Sequence, residues 1–497
     1  MRGGKGVQGS LASPPQQRQP AVATSDPSRI WLPEIVERFA RSLTPNEVAG
    51  TLRLVNKAAA AQFSAPQHAV IRLSQPVPHH AFVRRWASPG LDVCVWLRER
   101  GCTCLDGDVL TAAAGAGQQA VCEWLLTTGC LNHWGAAAAA AARGGHVGLM
   151  DWLLALTINV QSIHCLLGGA AEGCSLPTLQ RLLLTYLNTL PVAMPAVYGL
   201  GILGASARSP TADWQAKVEC LQSRSFPWTA AACTMAAAKA DALPRLQWLR
   251  QRGYPFNSAV ATNAAGAGNV EALQYVLGQG VEVNAHMLQS AAEGGHVAVM
   301  EVLHARGASV GEDAVRTAAA AGHLPAVAWL VERMGAGAAL TTSVFAAAAR
   351  AGSMELLGWL RERGCPWDAT AFAAAVEGGS EEQLEWLVEK GCPMGDDGEP
   401  YARAARHGDL AMLRCLRRLG CPWGHDGSTL THAVTGFTCD SRAVLQRMFS
   451  WLLDQGCPVD WDAVEADALR KKDEGLVGWL HAQREQRARA GNGGLQP

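Results

Sequence analysis

The sequence has almost no excess of charge of either sign. Its 497 residues include 42 lysines and arginines and 43 aspartates and glutamates, so the formal net charge is −1 at pH 7. Nucleic acids and anionic membrane surfaces attract basic proteins, and a nearly neutral chain gives no electrostatic reason to bind either. We therefore expect neither nucleic acid nor a membrane among the partners of this protein.

Long apolar runs and the core of a secretory signal are also missing. No apolar stretch reaches the roughly 18 residues that would span a bilayer. Residues 1–28 are rich in glycine, proline, glutamine and serine, which predicts a disordered tail, with an organelle transit peptide as the alternative. Residues 486–497 are predicted to form a second disordered tail. We expect an intracellular protein of the cytoplasm or the nucleus.

The common catalytic and phosphate-binding motifs are absent as well. No Walker A sequence, no H-E-x-x-H and no G-x-S-x-G occurs in the chain. One formal G-x-G-x-x-G occupies residues 199–204, but prolines precede it where a strand is needed, and Glu219 is badly placed to bind a ribose. We predict no catalytic residue, no metal and no cofactor, and hence a protein that is not an enzyme.

The cysteines do not have the spacing of a metal site, because none of the 15 belongs to a C-x-x-C. Six of them follow a helix-ending glycine: Cys102, Cys130, Cys365, Cys392, Cys421 and Cys457. Units of a helical stack lie about 8–10 Å apart, whereas a disulfide needs Cα atoms about 4.4–6.8 Å apart. We expect all the thiols to be free and to fill turns as small apolar groups in a reducing compartment.

The feature that the sequence has in abundance is a repeated dipeptide, Trp-Leu. Its tryptophans are Trp96, Trp124, Trp152, Trp248, Trp329, Trp359, Trp386, Trp451 and Trp479. Four of the intervals between consecutive copies are 27 or 28 residues, and weaker copies such as Cys220-Leu221 fill the wider gaps. A fixed period of this size predicts a solenoid. We count roughly fourteen units over residues 91–485, with the poorest register at 155–215 and 424–450.

Residues 365–391 show the structure that one unit predicts. Two polar residues are candidate caps of a first, alanine-rich helix, Asp368 or Thr370. A Gly-Gly pair ends that helix, and Ser380 can cap a second one. Glu382 or Gln383 can then close a capping box with Ser380. The unit is therefore two helices and two turns, and its apolar stripe can be buried only in a stack.

These units resemble ankyrin repeats. The shared pattern, A-A-x-x-G-H-x-x-x-[VM]-x-x-L-x-x-x-G, stands at residues 141–154, 291–310 and 318–335. The units are shorter than the family's repeat of about 33 residues, and they lack its T-P-L-H. We therefore expect an all-α, ankyrin-like solenoid of helix pairs joined by tight Cys-Pro turns, with few or short hairpins. The resemblance implies that the array binds a protein.

Residues 30–63 break the repeat pattern and resemble an F-box. Leu32-Pro33 opens the resemblance, and spaced apolar residues continue it to Lys57, after which four alanines stand where the family usually has an aromatic residue. The family's module docks on the Skp adaptor of cullin–RING ubiquitin ligases. The resemblance implies that nine residues contact this adaptor: Leu32, Pro33, Ile35, Val36, Phe39, Leu43, Leu52, Leu54 and Val55.

The resulting domain prediction places an F-box-like helical module at residues 29–65 and a proline-containing linker at 66–90. The expected function is the substrate-recognition subunit of a Skp–cullin–F-box ubiquitin ligase, in which the partner ligase performs the catalysis. The alternative is an ankyrin-repeat binding scaffold unrelated to ubiquitin. In that case the N-terminal helices only cap the apolar edge of the stack.

On the array, we expect the partner to lie along a concave surface made by the first helices and the turns before them. The expected anchors are three tryptophans that follow a turn proline: Trp228, Trp367 and Trp423. The alternative is that all three pack against the next repeat. Three histidines follow a glycine between the two helices of a unit, and they are interpreted as structural: His146, His296 and His323.

Overall fold

The computed structural model describes most of the predicted array and none of the predicted N-terminal module. The described residues are 107–127, 134–156, 163–187, 196–224, 226–378, 380–406, 409–424, 427–436, 442–471 and 473–492. The F-box-like module at 29–65, the linker at 66–90 and the predicted adaptor contacts lie outside these ranges.

The described residues form twenty-seven helices and no strand. The helices are α1 Gly107–Gly115, α2 Gln119–Thr127, α3 Trp134–Arg143, α4 Val147–Ala155, α5 Ile163–Gly173, α6 Leu176–Leu187, α7 Ala196–Ala207, α8 Trp214–Gln222, α9 Ala230–Ala237, α10 Ala242–Gln251, α11 Ser258–Gly266, α12 Val270–Gly278, α13 Ala285–Glu293, α14 Val297–Ala305, α15 Glu312–Ala320, α16 Leu324–Met334, α17 Ala336–Ala339, α18 Thr342–Ala351, α19 Met354–Glu362, α20 Ala369–Gly378, α21 Glu381–Glu389, α22 Glu399–Arg406, α23 Leu410–Arg418, α24 Ser428–Gly436, α25 Arg442–Asp454, α26 Trp461–Arg470 and α27 Glu474–Asn492.

Apart from the short α17, these helices form antiparallel pairs in which a first helix is followed by a second. Each first helix packs on the first helix of the next pair and, except in the pair of α24 and α25, on its own second helix. The fold is thus an all-α helical-repeat solenoid, as the sequence predicted. The last helix runs to Asn492, so residues 486–492, which the sequence assigned to a tail, continue α27.

Small residues let the first helices approach each other closely. Alanine pairs such as Ala264-Ala265 and Ala318-Ala319 are completely buried between neighbouring first helices. The approach is closest between α3 and α5, where a Cβ added to Gly169 would overlap the carbonyl oxygen of Ala139. Alanine and glycine are therefore required here by backbone contact as well as by helix propensity.

The second helices carry the larger apolar side chains. In α21, Leu384 and Leu387 are completely buried, while Trp386 is half-buried at the edge of the same stripe. Tryptophans of this series contact the preceding pair: the ring centroids of Trp214 and Trp248 lie 5.0 Å apart in an edge-to-face arrangement. The repeated Trp-Leu dipeptide is therefore mainly a core signal.

The predicted caps form in part. The Asp368 Oδ1 atom accepts a hydrogen bond from the Thr370 N–H at 2.9 Å, and Ser380 Oγ accepts one from the Gln383 N–H at 3.2 Å. Gln383 does not close a capping box, however, because its side-chain amide donates to the Ala349 carbonyl of the preceding pair at 2.6 Å. A contact between repeats has replaced the expected local one.

Candidate binding surface

Second helices end in a recurrent hydrogen-bonded turn. The Cys365 N–H donates to the Leu360 carbonyl at 3.0 Å, and the Gly364 N–H donates to the Arg361 carbonyl at 3.0 Å. Gly364 has a φ of 73°, in the left-handed region that glycine adopts without strain. This is a Schellman motif, and it recurs at Gly391-Cys392, Gly420-Cys421 and Gly456-Cys457.

The turn cysteines are buried and protonated. Burial raises the pKa of Cys392, Cys421 and Cys457 to about 12, and that of Cys365 to about 11. Since nucleophilic attack and metal binding need the thiolate, these residues act as packing groups at neutral pH. All ten cysteines in the described ranges are free, as predicted for them.

An apolar side chain follows two places after the buried turn residue, immediately before or near the start of the next first helix. We call the eight residues at this position the turn row: Trp228, Phe256, Val283, Val310, Trp367, Met394, Trp423 and Val459. The residue between the two is usually an exposed proline, as at Pro366. The turn row therefore places one variable side chain at the same position of eight turns between helix pairs.

Two of the three tryptophans expected as anchors are packed against the core. The Trp367 indole is half-buried between Phe345 and Trp386, with ring centroids at 5.2 and 6.4 Å. Trp423 is half-buried against Tyr401, with a centroid distance of 4.0 Å. For both residues, these contacts agree with the alternative stated from the sequence, in which the tryptophans pack within the array.

Trp228 differs from the other two. Its side chain is 56% exposed, and its ring stacks on Tyr254 at a centroid distance of 5.8 Å and an interplanar angle of 12°. Tyr254 itself is completely buried, and its hydroxyl accepts a hydrogen bond from the Gln222 amide at 2.9 Å. Trp228 thus presents one indole face outward while the stacked tyrosine holds the other.

Arginines of the second helices cover three turn-row rings, and sequence reasoning missed them. The guanidinium carbon lies over the ring centroid at 4.0 Å for Arg361 on Trp367 and at 5.3 Å for Arg417 on Trp423. Arg250 covers Phe256 in the same way, at 5.3 Å. Each arginine stands six residues before its aromatic partner, a spacing that is visible in the sequence as R-x-x-x-x-x-[WF].

A cavity of about 400 Å³ opens between two consecutive turns of the row. It is lined by residues 256–258 of one turn and 279–284 of the next, including the turn-row residues Phe256 and Val283. The side chains of Asn257 and Asn284 cap the following first helices by accepting from the Val260 and Met287 N–H groups at 3.3 and 3.1 Å. The capped N-termini of α11 and α13 therefore hold the walls of this cavity in place.

The turns inside each helix pair are built differently. The His296 ring donates through Nε2 to the Gly266 carbonyl of the preceding pair at 3.1 Å. A Cβ on Gly268 would lie 2.6 Å from the same ring, so the histidine sits directly on the preceding turn. Other residues donate to equivalent carbonyls of the preceding first helix: Asn269, Gln383, Lys217, Arg245 and Lys471. The interpretation of His296 as structural is therefore supported.

Two glutamates at the ends of first helices each bridge two arginines. Glu172 pairs with Arg143 at 3.5 Å and with Arg208 at 2.5 Å. Glu377 pairs with Arg350 at 2.7 Å and with Arg403 at 2.8 Å. These pairs connect consecutive repeats and are at least partly exposed, so each contributes little to stability.

The formal G-x-G-x-x-G is not a phosphate-binding loop. Residues 199–204 lie within the helix α7, whereas the dinucleotide fingerprint requires a strand, a turn and then a helix. Among the described residues, no group of three or more histidines, cysteines or acidic residues is placed to hold a metal ion. None of the described helices combines the length and apolarity that crossing a membrane would require.

Comparison with known proteins adds fold-level similarity. No family model matches the sequence, and no curated protein matches it. The human ASB11 ankyrin repeat domain is 22% identical over 38% of this chain and 96% of its own, with a TM-score of 0.29. The pentatricopeptide repeat protein PPR10 from maize is 14% identical over 90% of this chain and 79% of its own, with a TM-score of 0.24.

The prediction that excluded nucleic acid as a partner is wrong. A structure of PPR10 in complex with an 18-nt psaJ RNA element aligns with 90% of this chain and 74% of its own, at 14% identity and a TM-score of 0.29. Net charge was too coarse a criterion for that prediction, because a charge summed over the whole chain does not describe the local charge of any one surface.

Proposed function

We propose that this chain is a protein-binding scaffold and that its partner docks along the turn row. The observation that carries the proposal is Trp228, an exposed indole that stacks on Tyr254 in the turn before the cavity at Phe256 and Val283. Interfaces are centred on a few aromatic or arginine anchors surrounded by near-neutral contacts. The turn row offers one such anchor, and the two turns that follow it line a depression.

The geometry favours binding because Trp228 is already ordered. Its ring rests on Tyr254, whose burial and hydrogen bond to Gln222 fix its position. Ordering a side chain at an interface costs about 0.5–1.5 kcal/mol, and an indole held by stacking avoids part of that cost. The neighbouring turns repeat at a fixed interval, so an extended partner segment can contact several of them.

The finer part of the proposal concerns residues 29–65. Their F-box-like order of apolar residues supports docking on a Skp adaptor through Leu32, Pro33 and the residues that follow. The array would then present a bound protein to the cullin–RING ligase. The alternative remains a binding scaffold unrelated to ubiquitin, in which these residues only cap the stack.

Affinity purification of three full-length proteins from the native cell tests both parts. The proteins are the wild type, Trp228→Ala, and the double variant Leu32→Ala with Pro33→Ala. We expect Trp228→Ala to lose the array-bound protein and to keep Skp–cullin components, and the double variant to do the reverse.

Two outcomes would overturn the proposal in separate ways. If the wild type recovers no Skp protein, the ubiquitin part is rejected and the scaffold part remains. If nuclease treatment removes every partner that depends on Trp228, the array binds nucleic acid and the protein-binding part is rejected. A thermal melt of each variant shows that the losses do not come from unfolding.

A further inference from the structure

Three aromatic residues of the turn row carry a guanidinium from the same chain. Arg250, Arg361 and Arg417 supply it to Phe256, Trp367 and Trp423, always from six residues upstream. Within the described ranges, none of these three arginines forms an ion pair. Arg250 and Arg361 also donate hydrogen bonds to the carbonyls of Tyr254 and Cys365, both at 3.4 Å. A guanidinium over a turn-row ring is therefore a contact that this fold makes repeatedly.

Trp228 breaks this rule. The residue six places before it is Gln222, whose amide donates to the Tyr254 hydroxyl at 2.9 Å and does not supply a charge. No lysine or arginine of the described ranges lies over the Trp228 ring. The nearby Arg252 covers Trp248 at 4.3 Å and pairs with Glu219 at 2.5 Å. The fourth aromatic position of the row therefore lacks the cation that the other three have.

We propose that Trp228 receives the guanidinium of an arginine side chain from the partner, in the place that an internal arginine occupies on the other three rings. This inference rests on the proposed function, since it assigns a chemical class to the partner's contacting residue. The open indole face and its rigid backing by Tyr254 suit a planar cation, which stacks on tryptophan better than on other rings.

One unpaired carboxylate in the next turns offers a contact to a cationic partner segment. Glu282 lines the adjacent cavity, is exposed, and has no ion-pair partner within the described part of the chain. Of the nearby arginines, Arg252 is paired with Glu219, Arg250 lies on the Phe256 ring, and Arg224 is exposed. A partner segment with one arginine on Trp228 can therefore run across the cavity toward a free carboxylate.

Fluorine NMR of the full chain labelled with 5-fluorotryptophan tests the proposal. Comparison with Trp228→Phe assigns the resonance of Trp228 among the 17 tryptophans. The probes are N-acetyl-arginine methylamide and its uncharged analogue N-acetyl-citrulline methylamide. We expect the Trp228 resonance to shift with the arginine probe and the citrulline probe to bind about two- to fivefold more weakly, as a cation–π contact at an exposed site implies.

Two reciprocal variants sharpen the test. Gln222→Arg should place an internal guanidinium on Trp228, shift its resonance without any probe, and abolish its response to the arginine probe. Arg361→Gln should uncover Trp367, whose resonance then begins to respond. Unchanged positions of the remaining tryptophan resonances show that each variant is folded. The proposal is overturned if the Trp228 resonance of the wild type does not respond, or responds equally to both probes.

These results separate the inference from the proposed function. If the Trp228 resonance responds to the arginine probe but Trp228→Ala still captures every protein partner, the proposed partner site on the turn row is rejected. If a protein partner is lost with Trp228→Ala but the Trp228 resonance does not respond to the arginine probe, only the arginine inference is rejected.

Discussion

The turns inside helix pairs and the turns between helix pairs differ in what their side chains contact. Turns inside a helix pair place polar side chains, such as His296 and Gln383, on carbonyls of the preceding pair, and Gly268 beneath His296 leaves no room for a side chain. Turns between pairs share a Schellman backbone but vary in the side chain that they present. The first kind fixes the stack, and the second kind is where partner recognition can differ between repeats.

The largest effect is expected where first helices touch. Gly169→Ala places a methyl group against the Ala139 carbonyl and should lower the free energy of unfolding by about 3 kcal/mol. Gly168→Ala is the matched control, because nothing lies within 4 Å of its added Cβ. That change should be neutral or stabilising by up to about 1 kcal/mol. Urea unfolding monitored by circular dichroism measures both, and equal midpoints would refute the contact argument.

A smaller effect should separate the two tryptophans of the turn row. Trp367→Ala removes a half-buried ring that contacts Phe345 and Trp386, and it should cost about 2–3 kcal/mol. Trp228→Ala removes only one stacked pair and should cost about 1 kcal/mol. The same unfolding measurement applies. Equal costs would mean that Trp228 is as much a core residue as Trp367, and it would no longer be a distinct binding position.

The polar contacts that the turns inside a pair make with the preceding pair should matter less. Gln383→Ala removes the bond to the Ala349 carbonyl and should cost about 1–2 kcal/mol. Glu382→Ala, at the exposed neighbouring position, is the control and should change stability by no more than about 0.5 kcal/mol. If both variants melt at the temperature of the wild type, the contact between repeats contributes nothing measurable.

The smallest effect concerns pH and the buried Lys217. Burial lowers the pKa of this lysine in the folded state below its usual value, against a smaller opposing effect of Asp213. Between the folded and unfolded pKa values the unfolded chain binds more protons, so stability should rise as pH increases through that alkaline window. Lys217→Met should lack this rise. The test is the unfolding midpoint of both proteins measured from pH 7 to about 10. If the midpoints of the two proteins change in parallel with pH, the predicted contribution of Lys217 is contradicted.

Much of the fold was readable from single residues and their spacing. The 27- or 28-residue period, the alanine pairs and the glycine before each turn cysteine depend on local backbone conformation or on small size, and both are written in the sequence. The helix pairs, the absence of strands in the described ranges and the free thiols there followed from these features. The resemblance of residues 29–65 to an F-box stays a prediction.

Only the tertiary structure decided which side chains are covered. Trp228 and Trp367 each follow a proline at the same position of their turns, yet Trp228 is largely exposed and lies on Tyr254, whereas Trp367 lies between two rings and under Arg361. Likewise, the Gln383 side chain donates a hydrogen bond to the preceding repeat and does not cap its own helix. The sequence sets which turns and helices form because those depend on neighbouring residues. The exposure of a turn residue depends on side chains brought into contact from elsewhere in the fold.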